Sequence, residues 1–271
     1  MEIKIPQSFE QKFSKLLGNE YSNFISVLYV KPRKSIRVNT IKISKNELIK
    51  RLKKKGLKLK QVPWYELGFW VENYPEVDPA KSLEFFLGYF YIQEASSMIP
   101  PLVLDPKKNE YILDMCAAPG SKTTQMAQMM ENQGIILALD DSLKRLQALR
   151  VNIQRLGIKN VVVALIDARK FWKKGIKFEK ILLDVPCSAS GTIISTYSVL
   201  NTWSPGLVKK LSKLQKQLII SAYKSLENDG ILVYSTCSID PEENEEVIDF
   251  AIRKLGMEVV GTKIRNLRYR E

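Results

Sequence analysis

The apolar positions of the chain change their period near residue 110. Before it, Phe9, Phe13, Leu16, Leu17, Phe24, Val27 and Leu28 recur roughly every three or four residues, which predicts helix over 7–30. A short strand is expected at 35–39. Ser44, with Glu47 three residues on, has the form of a capping box opening a helix that Gly56 ends. Residues 57–62 and 68–71 read as two further short strands, and 74–82, with two prolines, as a linker. Strand–helix–strand–strand is half of a small α+β module. From 110 onward the pattern consists of short runs rich in Ile, Val and Leu at 111–116, 134–140, 161–167, 180–186 and 230–238. Helical stretches at 121–131, 141–156, 205–227 and 242–255 separate or follow them. Buried runs alternating with helices predict an α/β domain with a parallel, doubly wound sheet covered on both faces.

In such sheets ligands lie outside the carboxyl ends of the strands. Four of the five runs end at or near Asp114 and Cys116, Asp140, Asp167, and Asp184 and Cys187; the fifth ends at Cys237. All three cysteines are therefore expected on the edge where chemistry takes place.

Charge sharpens this picture. The 271 residues hold 42 Lys and Arg against 29 Asp and Glu, a formal net charge of +13. Residues 31–60 alone carry 13 basic residues and one acid, Glu47, and the tail from Arg253 has six basic residues and two acids. Clustered cations of this kind favour a phosphate backbone, so nucleic acid is the expected partner. The alternative is a solvated helix face. An anionic membrane fits less well, because the basic stretch has no broad apolar face with Trp or Phe.

The chain has no histidine, which excludes a Ser-His-Asp triad, a His acid–base pair and a His-ligated metal. Three isolated cysteines without CxxC spacing fit a reducing cytosol rather than a disulfide framework. No apolar run approaches the ~18 residues of a membrane span. The start, MEIKIPQSFE, lacks the apolar core of a signal peptide. A cytoplasmic, monomeric chain with no membrane partner is expected.

The first strand runs into DMCAAPGSKT, residues 114–123. Pro119-Gly120 makes a tight turn, and Ser121-Lys122 opens a helix whose N-terminus favours an anion. The spacing is not that of a triphosphate loop. Asp140, 20 residues after Gly120, stands where an acid takes ribose hydroxyls, and Asp167 is placed to reach an adenine. Asp140 also reads as an ordinary helix N-cap. The fourth strand delivers DVPCSASGT (184–192) and the fifth STCSIDPEENEE (235–246), each with a cysteine beside small polar residues. A lone cysteine is usually buried filler, but two at adjacent strand ends beside a nucleoside pocket are not.

DMCAAPGSKT, ALDDSLKRL, FEKILLDVPCSA and STCSIDPEENEE resemble, in order, the motifs of the NOL1/NOP2/Sun RNA (cytosine-5)-methyltransferases, and GYFYIQEASS resembles their lead-in segment. The resemblance spans about residues 35–250. It implies a Rossmann-like S-adenosylmethionine-dependent domain over 88–271, preceded by a basic RNA-binding domain over 1–87. The implied cofactor pocket is Cys116, Ala117, Ala118, Pro119, Gly120, Ser121, Lys122, Asp140, Arg145, Asp167 and Asp184. The implied nucleophile is Cys237, attacking cytosine C6, with Cys187 releasing the product and Asp184 holding the base at N3 and its amine. Lys122 or the helix N-terminus could lower a nearby thiol pKa. The TC cysteine points to RNA, with tRNA ahead of ribosomal RNA. A methyltransferase for DNA or protein, and an RNA-binding assembly factor with vestigial activity, are the competing readings. Ser121, Glu179 and Ala189 depart from residues usual in the family. NLRYRE shows neither the Trp-Pro-His-like turn nor the Gly-Phe-Phe strand with which members usually close.

Overall fold

The structure is a computed structural model that describes residues 4–30, 32–262 and 264. In chain order its helices and strands are α1 (Gln7–Leu17), α2 (Tyr21–Leu28), β1 (Lys34–Val38), α3 (Lys45–Lys54), β2 (Leu59–Gln61), β3 (Gly68–Val71), α4 (Leu83–Phe86), β4 (Phe90–Ile92) and α5 (Ile99–Leu104). They continue with β5 (Tyr111–Asp114), α6 (Ser121–Met129), β6 (Ile135–Asp140), α7 (Leu143–Leu156), β7 (Val161–Leu165), β8 (Phe178–Asp184), α8 (Val199–Thr202), α9 (Pro205–Ser225), β9 (Leu226–Ser235) and α10 (Glu245–Leu255). Two compact units emerge. One comprises 33–184, 221–234 and 260–271, the other 1–32, 185–220 and 235–259.

The larger unit holds two sheets. The first is antiparallel, in the order β2-β3-β1-β4. α3 packs on it through Leu48 and Leu52, which meet Ile36, Val38, Phe69, Val71 and Phe90 in one buried cluster. Ser44 caps α3 as expected, its Oγ accepting from Glu47 N at 3.3 Å. At the other end Gly56 N and Leu57 N donate to Lys53 O and Leu52 O, a Schellman closure that brings Leu57 into the same cluster. β4 supplies a fourth strand that the hydrophobic pattern did not show. The proline-containing stretch 74–82 is packed rather than loose: Tyr74 and Val77 lie against that core, and Pro79 and Ser82 are buried.

The second sheet has the order β7-β6-β5-β8-β9, with β7, β6, β5 and β8 parallel to their neighbours. Its core is Ile112, Ile136 and Leu182 against Met126, Ala127 and Met130 of α6 and the following turn. Strand order reverses between β5 and β8. In an open α/β sheet that is the crevice where a nucleotide-like ligand binds.

The two sheets of this unit are joined through polar contacts. Ser35, Arg37 and Asn39 alternate with Ile36 and Val38, yet all three are buried. The Arg37 guanidinium donates to Gln93 Oε1, Ser121 O and Thr124 Oγ1 at 2.5, 2.7 and 3.0 Å. Burial lowers its pKa to about 10, and it still serves as a cation in the fold.

In the smaller unit α1 and α2, separated by a single 3-10 turn at Gly18–Glu20, do not form the continuous helix expected over 7–30. Phe9, Phe13 and Leu28 pack with Ile193, Leu200, Trp203 and Val208. Phe9 and Trp203 meet edge to face with centroids 4.9 Å apart. Among the described residues no helix is long and apolar enough to cross a membrane. The sequence departure at NLRYRE lies outside the described residues.

Candidate active site

The larger unit carries the loop between β5 and α6. Gly120 stands at its end with φ 103°, and a Cβ there would lie 2.5 Å from Leu149 Cδ1, so the turn packs on α7 only because that position is glycine. Arg145 Nη2 donates to Ala118 O at 2.5 Å and lies 3.4 Å from Asp140 Oδ2. Asp140 is buried at the end of β6. Its Oδ2 accepts from Ala118 N at 3.3 Å and its Oδ1 from Ser142 N at 3.0 Å. The N-cap of α7 is Ser142 rather than Asp140. Asp140 and Arg145 thus hold the 116–122 loop from the neighbouring strand and helix.

Lys122 Nζ meets Asp184 Oδ2 at 2.6 Å, joining the start of α6 to the end of β8 across the switch point. Lys122 is thereby committed to a carboxylate rather than to a thiol. Asp114, almost fully buried, accepts from Thr123 Oγ1 at 2.7 Å. Burial pushes its pKa up to about 7, and nearby Asp184 adds to the rise. Burial likewise raises the Cys116 thiol well above its usual range, with Asp114, Asp140 and Asp184 reinforcing the effect. Cys116 is therefore a neutral lining residue, not a nucleophile. Asp167, two residues past β7, accepts from Arg169 Nε, Nη2 and N at 2.9, 2.8 and 3.0 Å. That side-chain pairing, opposed by partial burial, holds its carboxyl below the usual range.

The smaller unit carries the other two cysteines. Cys187 Sγ and Cys237 Sγ lie 3.0 Å apart, and Cys237 N donates to Cys187 Sγ at 3.3 Å. The hydrogen bond with Cys237, then burial, hold the Cys187 thiol far above its ordinary range. Gly191 N donates to Cys237 O at 2.9 Å, and a Cβ on Gly191 would come within 2.8 Å of that oxygen. The two cysteine-bearing segments can approach this closely only with glycine there. Ala189 adopts φ 60°, the left-handed region, which explains why glycine is usual at its position.

Behind the thiols lies a buried polar cluster that the sequence reading missed. Glu243 accepts from Ser188 N, Ser188 Oγ and Gln215 Nε2. Asp240 accepts from Lys12 Nζ and Ser190 Oγ at 2.6 Å and from Trp203 Nε1 at 3.2 Å. The PEENEE run was legible as an acidic helix start, but nothing marked Asp240 just before it and Glu243 within it as inward-facing acceptors.

The residues of the larger unit suit S-adenosylmethionine. Asp114, Asp140, Asp167 and Asp184 lie at the strand ends, an acidic setting that suits a cationic sulfonium.

A 3-2-1-4-5 sheet with an acid-rimmed loop at its switch point defines a Rossmann-like methyltransferase. Residues 101–268 match the family model for 16S rRNA methyltransferase RsmB/F, and residues 5–95 match the N-terminal domain of 16S rRNA methyltransferase RsmF. The chain belongs to this RsmB/F (Sun) family of RNA methyltransferases. It is 45% identical over 262 residues to the tRNA (cytosine(49)-C(5))-methyltransferase of Pyrococcus abyssi, covering 96% of this chain and 83% of that protein. It is 42% identical to ribosomal RNA small subunit methyltransferase F of Psychromonas ingrahamii, covering 92% of this chain but 53% of that protein. The chain thus spans about half the length of that ribosomal relative. Among solved structures it resembles a methyltransferase homologue from Pyrococcus horikoshii (TM-score 0.84, 40% identity, 93% of this chain and 80% of that one). It also resembles NSun6 from Pyrococcus horikoshii with SFG, an S-adenosylmethionine analogue (TM-score 0.88, 31% identity, 96% and 90%).

Proposed function

We propose that the chain methylates C5 of cytosine in RNA through a covalent Cys237–C6 adduct. The observation that carries this is the pair of thiols 3.0 Å apart at the ends of the PCS and TCS segments. Cytosine C5 is too weakly nucleophilic to be methylated unaided, and a thiolate adding to C6 makes it enamine-like. Cys237 attacks as the thiolate, beside a Cys187 thiol that its contact with Cys237 and burial keep protonated. Cys237 Sγ forms a bond to C6 while the electron pair of the C5–C6 double bond moves onto C5. Asp184 holds N3 and the exocyclic amine. S-adenosylmethionine, when bound, supplies the electrophilic methyl group that C5 takes. Loss of the C5 proton to a base then restores the double bond and expels the Cys237 thiolate, with Cys187 assisting. Lys122, Asp140, Arg145 and the 116–122 loop hold the cofactor. The target base must leave its stack, so a flipped or loop cytosine is the substrate.

Transfer RNA is the favoured substrate, because the chain spans 83% of a tRNA relative and 53% of a ribosomal one. The N-terminal part, 1–87, carries RNA affinity and 88–271 the chemistry. Not every charge of the basic segment serves RNA: Arg37 is buried, Lys42 Nζ donates to Leu87 O and Arg155 O, and Lys55 pairs with Glu84 at 2.9 Å. Lys53 and Lys54 are exposed on α3. Neutralising both should lower the salt slope of RNA binding by roughly two, one per lost phosphate contact; unchanged binding would return the segment to a solvated face.

The mechanism is tested with labelled cofactor and bulk tRNA. Cys237→Ala should abolish transfer, and Cys187→Ala should accumulate a covalent RNA–protein adduct. Normal turnover by Cys187→Ala, or an adduct surviving loss of Cys237, would reverse the roles. Mapping 5-methylcytosine in tRNA and ribosomal RNA from a deletion strain decides the substrate.

A further inference from the structure

The reaction above uses neither of the two buried carboxylates that lie in the segment following Cys237. Asp240 and Glu243 are both fully buried, and their contacts include Ser188, Ser190 and Ser238. The hydroxyl protons can be assigned once each. Ser188 Oγ donates to Glu243, and Ser190 Oγ and Ser238 Oγ donate to Asp240 Oδ2 at 2.6 and 3.1 Å. The freed hydroxyl oxygens then accept from the backbone: Ile239 N donates to Ser190 Oγ and Asp240 N to Ser238 Oγ, both at 3.0 Å. Ser188 and Ser190 follow Cys187, and Ser238 follows Cys237. One carboxylate therefore serves as the common acceptor for both segments, provided it stays ionised.

Its only cationic partner is Lys12 of α1, among the described residues. Lys12 Nζ lies 2.6 Å from Asp240 Oδ1 and 2.6 Å from Glu242 Oε2, with 20% of its side chain exposed. Burial alone would raise the Asp240 pKa; the hydrogen bonds from Lys12, Ser190 and Trp203 bring it below the usual range. We infer that Lys12 is a positioning residue for the thiol pair: by neutralising Asp240 it preserves the shared acceptor that fixes the segments carrying Cys187 and Cys237. A residue 228 positions before Asp240 in sequence thus sets the geometry of the nucleophile. The inference rests on the methyltransferase reading above.

The test uses the full chain, labelled S-adenosylmethionine and bulk tRNA. Lys12→Met should lower kcat about 10- to 100-fold, as sub-ångström to ångström misplacement of a reacting group does, with cofactor affinity by calorimetry unchanged. Lys12→Arg should recover most of the rate. The double variant Lys12→Met/Asp240→Asn removes the buried charge that Lys12 pairs, so its unfolding midpoint should return toward wild type. Its kcat should not, because a neutral amide oxygen accepts more weakly than the carboxylate oxygen on which Ser190, Ser238 and Trp203 converge. Wild-type kcat in Lys12→Met overturns the inference, as does a double variant that regains rate and stability together. If neither variant folds, the pair is a folding element and the inference also falls. Should the wild-type chain methylate no RNA, the methyltransferase reading fails, and alkylation by iodoacetamide then decides on Lys12. Altered rates at Cys187 and Cys237 with an unchanged rate at Cys116 support positioning; identical rates at all three overturn it.

Discussion

Asp114 and Asp240 are both carboxyls buried near a cysteine, and the protein treats them in opposite ways. Asp114 has one side-chain donor, Thr123, and a neighbouring carboxylate, Asp184; burial wins and its pKa rises to about 7. Asp240 has a lysine, an indole and serine hydroxyls; the donors win over burial and its pKa falls. The larger unit pairs Asp140, Asp167 and Asp184 with Arg145, Arg169 and Lys122, but gives Asp114 a single side-chain donor, Thr123. The smaller unit compensates its carboxylates internally, which suits a rigid support for two thiols. The same residue type therefore titrates upward in one place and downward in the other, according to the donors that face it.

The largest effect should come from breaking the compensated side. Asp240→Ala leaves Lys12 without one of its two carboxylates and Ser190, Ser238 and Trp203 Nε1 without an acceptor. Removing one partner of a buried pair costs 3–5 kcal/mol in general; the partial exposure of Lys12 reduces that here to about 3 kcal/mol. Guanidinium unfolding measures it, and a loss under about 1 kcal/mol would mean that water replaces the network.

Asp114 predicts a pH effect of slightly smaller size and opposite character. Its folded pKa lies above the ordinary 3.8, so between about pH 4 and pH 7 the unfolded chain releases this proton while the folded chain keeps it. Stability contributed by the protonated carboxyl is therefore present below pH 4 and is lost as pH rises to about 7. The upper bound is about 4 kcal/mol, and relaxation of the site makes about 2 kcal/mol the expected size. Asp114→Asn should flatten this slope while keeping the Thr123 contact. Parallel stability–pH curves for wild type and variant would show that Asp114 titrates normally.

The two sides of this comparison differed in how far the sequence revealed them. The strand runs ending at Asp114, Asp140 and Asp184 were legible because parallel strands buried on both faces read as continuous apolar segments. Cys187 and Cys237 were legible as a pair because strand ends converge on one sheet edge. Lys12 was not, since one lysine on an amphipathic helix looks like any solvated residue until Asp240 is placed beside it. Arg37 failed for a related reason. Polar residues alternating with Ile36 and Val38 indicate a solvent face, but here that face meets Gln93 and α6. The break at 18–20 had a local mark in Gly18, which ends α1 with φ 52°, whereas the packing of 74–82 depends on tertiary contacts that local pattern does not encode.

The smallest prediction concerns the strain the fixed frame tolerates. Ala189 lies between Ser188 and Ser190, both held by the buried carboxylates, and keeps φ 60°. A left-handed alanine costs about 1–2 kcal/mol relative to glycine, which adopts the region freely. Glycine gives back part of that gain through the larger entropy of its unfolded chain, about 0.4–1 kcal/mol. Ala189→Gly should therefore stabilise the protein by about 0.5 kcal/mol and leave the Cys187–Cys237 approach intact. The same substitution in the Lys12→Met background carries more information. If Lys12 and Asp240 are what force residue 189 into this conformation, the backbone there relaxes once Lys12 is lost, and the gain from glycine shrinks. Equal gains in both backgrounds would show that the left-handed turn is set locally, by Gly191 and the Cys237 carbonyl, and not by the buried network.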